Sequence, residues 1–149
     1  MAVAVALTSG CRDGSEPLSR AEFVRKGNAI CRETKAAQTK VPRPPLETLT
    51  LQFERSARGR AARRRWATYR RRVAELGERG VERLRDLDPP PDLRARRDRF
   101  FRDIAALGAL ARAHPAARPT PKRIRRIRGI VDRINADARG LGLRACVDD

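Results

Sequence analysis

The placement of the ten prolines most limits what this chain can fold into. A proline removes a backbone N–H and fixes φ, so it disrupts the interior of a helix or a sheet. The prolines fall in four places: Pro17; Pro42, Pro44 and Pro45; Pro89 to Pro91; and Pro115, Pro119 and Pro121. Between them run long proline-free stretches. Apolar residues recur there at three- and four-residue steps, the period of a helix with one buried face. No stretch alternates with the period of two that a half-buried strand needs.

The first stretch opens on a strong helix start. Ser19 and Glu22 fit a capping box, and Leu18 and Phe23 fit a hydrophobic staple around it. Phe23, Ile30 and Thr34, with Gly27 and Cys31, make an inward stripe that fades before the stiff linker Val41-Pro42-Arg43-Pro44-Pro45. A second helical region runs from about Leu46 to Leu87. Leu46, Leu49 and Phe53 begin its seam, and Trp66, Tyr69, Val73, Leu76, Gly80, Leu84 and Leu87 continue it. Unbroken, it would be about 60 Å long at 1.5 Å per residue. That is long for so small a protein, so a kink or break is expected near Ser56–Gly59. The third helix follows Asp88-Pro89-Pro90-Pro91-Asp92, with Asp92 as its cap, and its seam is Leu93, Arg97, Phe100, Ile104, Leu107 and Ala111. It ends near His114-Pro115. Thr120-Pro121 starts the fourth, with Ile124, Ile127, Val131, Ile134, Ala138 and Leu141 as its seam and Gly140 and Gly142 as stop signals. The expected fold is all-α: an antiparallel four-helix bundle with a long or kinked second helix and one disulfide.

At 149 residues the chain is long enough for one domain with a real core. With aromatics at only 4%, that core must be built from Leu, Ile, Val and Ala, which suits packed helices. The expected divisions are a truncated signal-like segment at 1–10, a tether at 11–17 and the helical domain at 18–149.

Three cysteines carry separate expectations. Cys11 follows Ala2-Val3-Ala4-Val5-Ala6-Leu7-Thr8-Ser9-Gly10, which reads like the tail of a bacterial lipoprotein signal. Processing there would make Cys11 the first residue, carrying a diacylglyceryl thioether. Its acyl chains would anchor the protein to the outer face of the cell membrane, an extracytoplasmic location. The apolar opening is short and has no Lys or Arg before it, so the true start is expected upstream of Met1. In an exported chain Cys31 and Cys146 are then an even pair, and the default is a bridge closing a loop of about 115 residues. The alternative is two buried free thiols in a cytosolic protein. The cysteines and His114 lack paired metal-ligand spacing, so no metal or cofactor is expected.

Asn28-Ala29-Ile30-Cys31 in the first helix, Leu87-Asp88-Pro89-Pro90 between helices, and Leu141-Gly142-Leu143-Arg144-Ala145-Cys146 at the end resemble a family of uncharacterised helical lipoproteins from high-GC Gram-positive bacteria. The resemblance covers most of residues 18–146. It implies export, a small helical domain and a Cys31–Cys146 bridge, and it implies no activity.

Charge is the remaining feature. The net charge is +17, and all but four of the 35 basic residues are Arg, as GC-rich codon usage favours. The distribution is uneven. Arg55 to Ala74 holds nine Arg and no acid, and Ala113 to Val131 holds six basic residues and no acid. Trp66 and Tyr69, interleaved with arginines, fall on the apolar seam and are expected in the core, with the arginines as a solvated face. Lys122, Arg123, Arg125 and Arg126 crowd the first turns of the fourth helix, where the macrodipole is already positive. With Arg63, Arg64, Arg70 and Arg71 they are candidates for binding an anion. No phosphate loop or nucleophile–base pair points to an enzyme. The leading expectation is a non-enzymatic envelope lipoprotein whose basic surface meets anionic lipid, an acidic wall polymer or a protein partner. The alternative is a cytosolic Arg-rich nucleic-acid-binding protein.

Overall fold

The computed structural model of the chain describes residues 16–113 and 120–147. The signal-like segment, Cys11, most of the tether and His114 lie outside the described residues. Five helices occupy the described chain: α1 (Arg20–Thr39), α2 (Thr48–Leu51), α3 (Ala57–Arg85), α4 (Pro91–Ala113) and α5 (Pro121–Gly140). A short 3₁₀ turn, Arg144–Cys146, follows, and no strand is present among the described residues.

Local chemistry accounts for the helix ends. Ser19 caps α1 with the full capping box: its hydroxyl accepts from the Glu22 N–H at 3.3 Å, and the Glu22 carboxylate accepts from the Ser19 N–H at 3.2 Å. The hydrogen bonds from Ser19 hold the Glu22 carboxyl below its ordinary value. The expected interruption in the second region falls between Leu51 and Ala57, just before the glycine that marked it. Ser56 caps α3 by accepting from the Gly59 N–H at 3.0 Å. A side chain at Gly59 would meet the backbone carbonyls of Glu54 and Leu51, so only glycine lets the reversed chain lie on that first turn. Asp92 sits inside the first turn of α4, behind Pro91, and pairs with Arg20 instead of capping.

The end of α5 is a Schellman closure. Gly142 adopts φ +80°, the Leu143 N–H donates to Ala138 O at 2.8 Å, and the Gly142 N–H donates to Arg139 O at 2.9 Å. Gly142 is therefore the true stop signal. Gly140 is still helical, and its missing side chain leaves room for the Arg96 guanidinium.

The close helix contacts are α1 with α3 and α4 with α5. Both pairs run antiparallel. In the first, Glu33 pairs with Arg83 at 2.8 Å, and Gln38 Nε2 donates to Val73 O at 3.1 Å. In the second, Asp137 meets Arg99 at 3.3 Å and Asp103 meets Arg133 at 2.9 Å. One core joins the two pairs: Phe23, Ile30 and Cys31 from α1, Leu84 from α3, Leu93 and Phe100 from α4, Ala138 from α5, then Leu141 and Leu143. Cys31 and Cys146 are bridged, with Cα atoms 5.1 Å apart.

Four expected seam residues are exposed instead of core, and Ala111 at the end of α4 is one of them. Leu46 is 59% exposed, Leu49 40% and Ile124 46%. Leu46 and Leu49 precede α3, and only the Trp66 face of that helix covers their segment. At the start of α5 the buried residue is Ile130, one turn and a half after Ile124.

Candidate anion-binding site

The α1–α3 pair is unequal in length, and this creates the site. α1 ends opposite Val73, so residues 57–72 of α3 extend past it. The overhang is covered by the linker and α2, fastened through polar side chains. Trp66, 4% exposed, donates from Nε1 to Thr48 Oγ1 at 3.0 Å. Arg70 donates to Gln52 Oε1 at 3.1 Å. Arg63 donates to the Gln52 and Glu54 carbonyls at 2.9 and 2.6 Å, closing the C-terminal end of α2. Two of the four expected α3 arginines thus serve the fold.

The next face of α3 carries a cleft of about 410 Å³, walled by Val41, Pro42, Arg43 and Pro44 on one side. Arg64, Arg65, Thr68, Tyr69 and Arg72 of α3 form the other side. Among the described residues no carboxylate lines it. Arg64, Arg65 and Arg72 are exposed and make no hydrogen bond or ion pair with any described residue. The Arg43 guanidinium lies 6.0 Å from the Trp66 ring centroid, and Tyr69 meets Trp66 edge to face with centroids 5.8 Å apart. Four guanidiniums therefore border a concave surface with no counter-charge, and Tyr69 and Thr68 add hydroxyls able to donate.

Of the expected residues, Arg64 lies in this cleft. Arg71 is exposed outside it, 3.9 Å from Glu75. Lys122, Arg125 and Arg126 are exposed on the first turns of α5, which contain no acid. Arg123 is half-buried, donates to Leu110 O at 3.1 Å and gives its backbone N–H to the Thr120 cap. α3 and α5 do not pack on one another, so the two basic sets form separate surfaces. Both nevertheless lie toward the same end. α5 starts beside the end of α4, and Arg112 there approaches Glu78 of α3 at 4.0 Å. The start of α1 is at the other end, where the Leu18 N–H donates to Asp88 O at 3.0 Å.

The reading from sequence overlooked Arg43, Arg65 and Arg72. One signal was present: Arg58, Arg65 and Arg72 recur every seven residues and so share one side of a helix. Arg43 had no such signal, because only the folded linker brings it across from them.

A second cavity, of about 190 Å³, lies between the helix pairs, lined by Thr34, Val81, Phe100, Ile104, Ile134 and the disulfide among others. Its ionisable side chain is Lys35, whose Nζ donates to Val147 O at 2.7 Å. Among the described residues no group of His, Cys, Asp and Glu is placed to hold a metal ion, and no helix is long and apolar enough to cross a membrane. Comparison with family models, curated proteins and solved structures finds no match to the chain.

Proposed function

We propose that this chain is a non-enzymatic protein of the cell envelope. In this reading it is an antiparallel four-helix bundle, closed by Cys31–Cys146 and held at the outer face of the membrane through lipidated Cys11, that offers a basic end to an anionic partner. One observation carries the reading: Arg64, Arg65 and Arg72 converge with Arg43 on a cleft that no carboxylate of the described residues lines. Three of these guanidiniums have no partner among the described residues, an arrangement that favours an anion from outside. The lipoprotein part rests on the Thr8-Ser9-Gly10-Cys11 segment and on the family resemblance of the helix and turn motifs.

The geometry also favours one class of partner. Residues 57–72 of α3 lie 13 to 28 residues from Arg85, about 20–40 Å along the helix from the end where the chain enters. A tether attached at that end leaves the basic end free to project from the membrane. A polymer of the wall therefore suits the cleft better than the headgroups beneath the anchor.

Mass spectrometry of the mature protein from its native host tests the anchor and bridge together. The expected species begins at Cys11, carries the acyl mass and has one disulfide. A cytosolic product retaining Met1 with three free thiols would overturn the envelope reading in favour of the nucleic-acid one.

A further inference from the structure

We infer that the cleft between Val41–Pro44 and α3 binds a linear phosphate polymer, which runs along the Arg58–Arg65–Arg72 row and is gripped from the opposite wall by Arg43. This rests on the proposal that the basic end meets an anionic partner, and it names the partner's chemistry and the site.

The row comes first. Seven residues of helix advance about 10.5 Å, so the three arginines place positive charge at regular steps along one side of α3. A linear polyanion can satisfy all three by lying along the helix, whereas a compact ion reaches one or two. The volume, about 410 Å³, is that of a small-molecule site, more than a single phosphate group requires.

The two walls come next. Arg65 and Arg72 approach from the helix, and Arg43 from the linker. A tetrahedral phosphate presents oxygens in several directions and can accept from both walls at once. A carboxylate is planar, with two oxygens at one edge, and suits a single fork. Guanidinium forks, which supply every cationic group of this cleft, match phosphate oxygens in pairs.

Other macromolecules fit less well. Single-stranded nucleic acid is held by successive bases stacking on exposed aromatic rings. Here Trp66 is buried, and Tyr69 is the one ring that borders the cleft. A bilayer presents a broad surface, and the cleft is concave.

The chain contains its own reporter. Trp66 is its single tryptophan, and its ring lies beneath Arg43. The test titrates the full-length, oxidised protein with sodium polyphosphate of defined length, poly-glutamate and a single-stranded oligonucleotide, matched in charge, reading Trp66 fluorescence and circular dichroism. Polyphosphate is expected to give a saturable change and to bind at least about tenfold more tightly than the other two. R65Q/R72Q, still fully helical, is expected to lose about tenfold or more in affinity, with a salt slope shallower by about two. R32Q/R139Q removes the same charge from exposed positions away from the cleft, and should lose less than about threefold. Equal losses in the two double variants would overturn the cleft while leaving a general basic surface. Tighter binding of poly-glutamate or of the oligonucleotide would overturn the phosphate-polymer assignment. Absence of binding to any of the three would overturn the anionic-partner reading itself.

Discussion

Asn28 ties the first helix to the turn after α5 through side-chain hydrogen bonds. Its Nδ2 donates to Val24 O at 2.8 Å and to Gly142 O at 2.9 Å, and its Oδ1 accepts from the Ala145 N–H at 2.7 Å. Asn28→Ala leaves that carbonyl and that N–H without partners in a half-buried setting. The expected cost is about 1–3 kcal/mol, read as a lower urea midpoint at unchanged slope. Asp103 gives a pH-dependent counterpart. Its carboxylate accepts from Arg133 Nε and Nη2 at 3.0 and 2.9 Å, which holds its pKa below the ordinary 3.8. The unfolded chain therefore takes up the proton first, so the contribution is full at neutral pH and is lost as pH falls through the lowered value. Asp103→Asn is expected to lower Tm at pH 7, and the gap to the unmodified protein should close as pH falls below 3.8. Residues of this kind were not legible in the sequence, because their partners lie 30 or more positions away. Ser19, Glu22 and Gly142 were legible, because a cap or a left-handed stop is completed within a few residues.

At the scale of elements, α3 is two helices in one. From Val73 onward it is packed against α1, and before that, among the described residues, it is held by the linker and α2. Removing the cap at the overhanging end should therefore act locally. Ser56→Ala is expected to cost about 1 kcal/mol. Amide exchange should quicken over residues 57–72 while residues 73–85 keep their protection. The break before α3 could be read from length and from Ser56 and Gly59. The exposure of Leu46, Leu49 and Ile124 could not. Periodicity identifies the apolar side of a helix, but burial also requires a neighbour long enough to cover it, and here the neighbours end first.

Across the whole molecule the helical class was legible from proline placement and seams, and the Cys31–Cys146 pairing only on the expectation of an exported chain in which Cys11 is set aside. The contact pattern was less so. The two helix pairs are each tight, yet they meet mainly through the core around Phe23, Phe100 and Leu143, and no local signal announces which faces will touch. The disulfide spans 115 residues, so its loss is felt by the whole core. Reduction, or Cys146→Ser, is expected to destabilise the protein by about 2–5 kcal/mol, measured by paired denaturant titrations with and without reductant.

One side of α1 is covered by residues 143–146. Leu143 lies against Gly27, the Asn28 side chain holds the Ala145 N–H, and Cys31 is bonded to Cys146. Part of the hydrophobic surface of α1 is therefore left uncovered until residues 143–146 have been made. The core around α1 closes through contacts more than 100 residues apart in sequence, and closure over so long a loop is slow for a helical protein. Packing of α1 against residues 143–146 and formation of the Cys31–Cys146 bond are thereby coupled in one step.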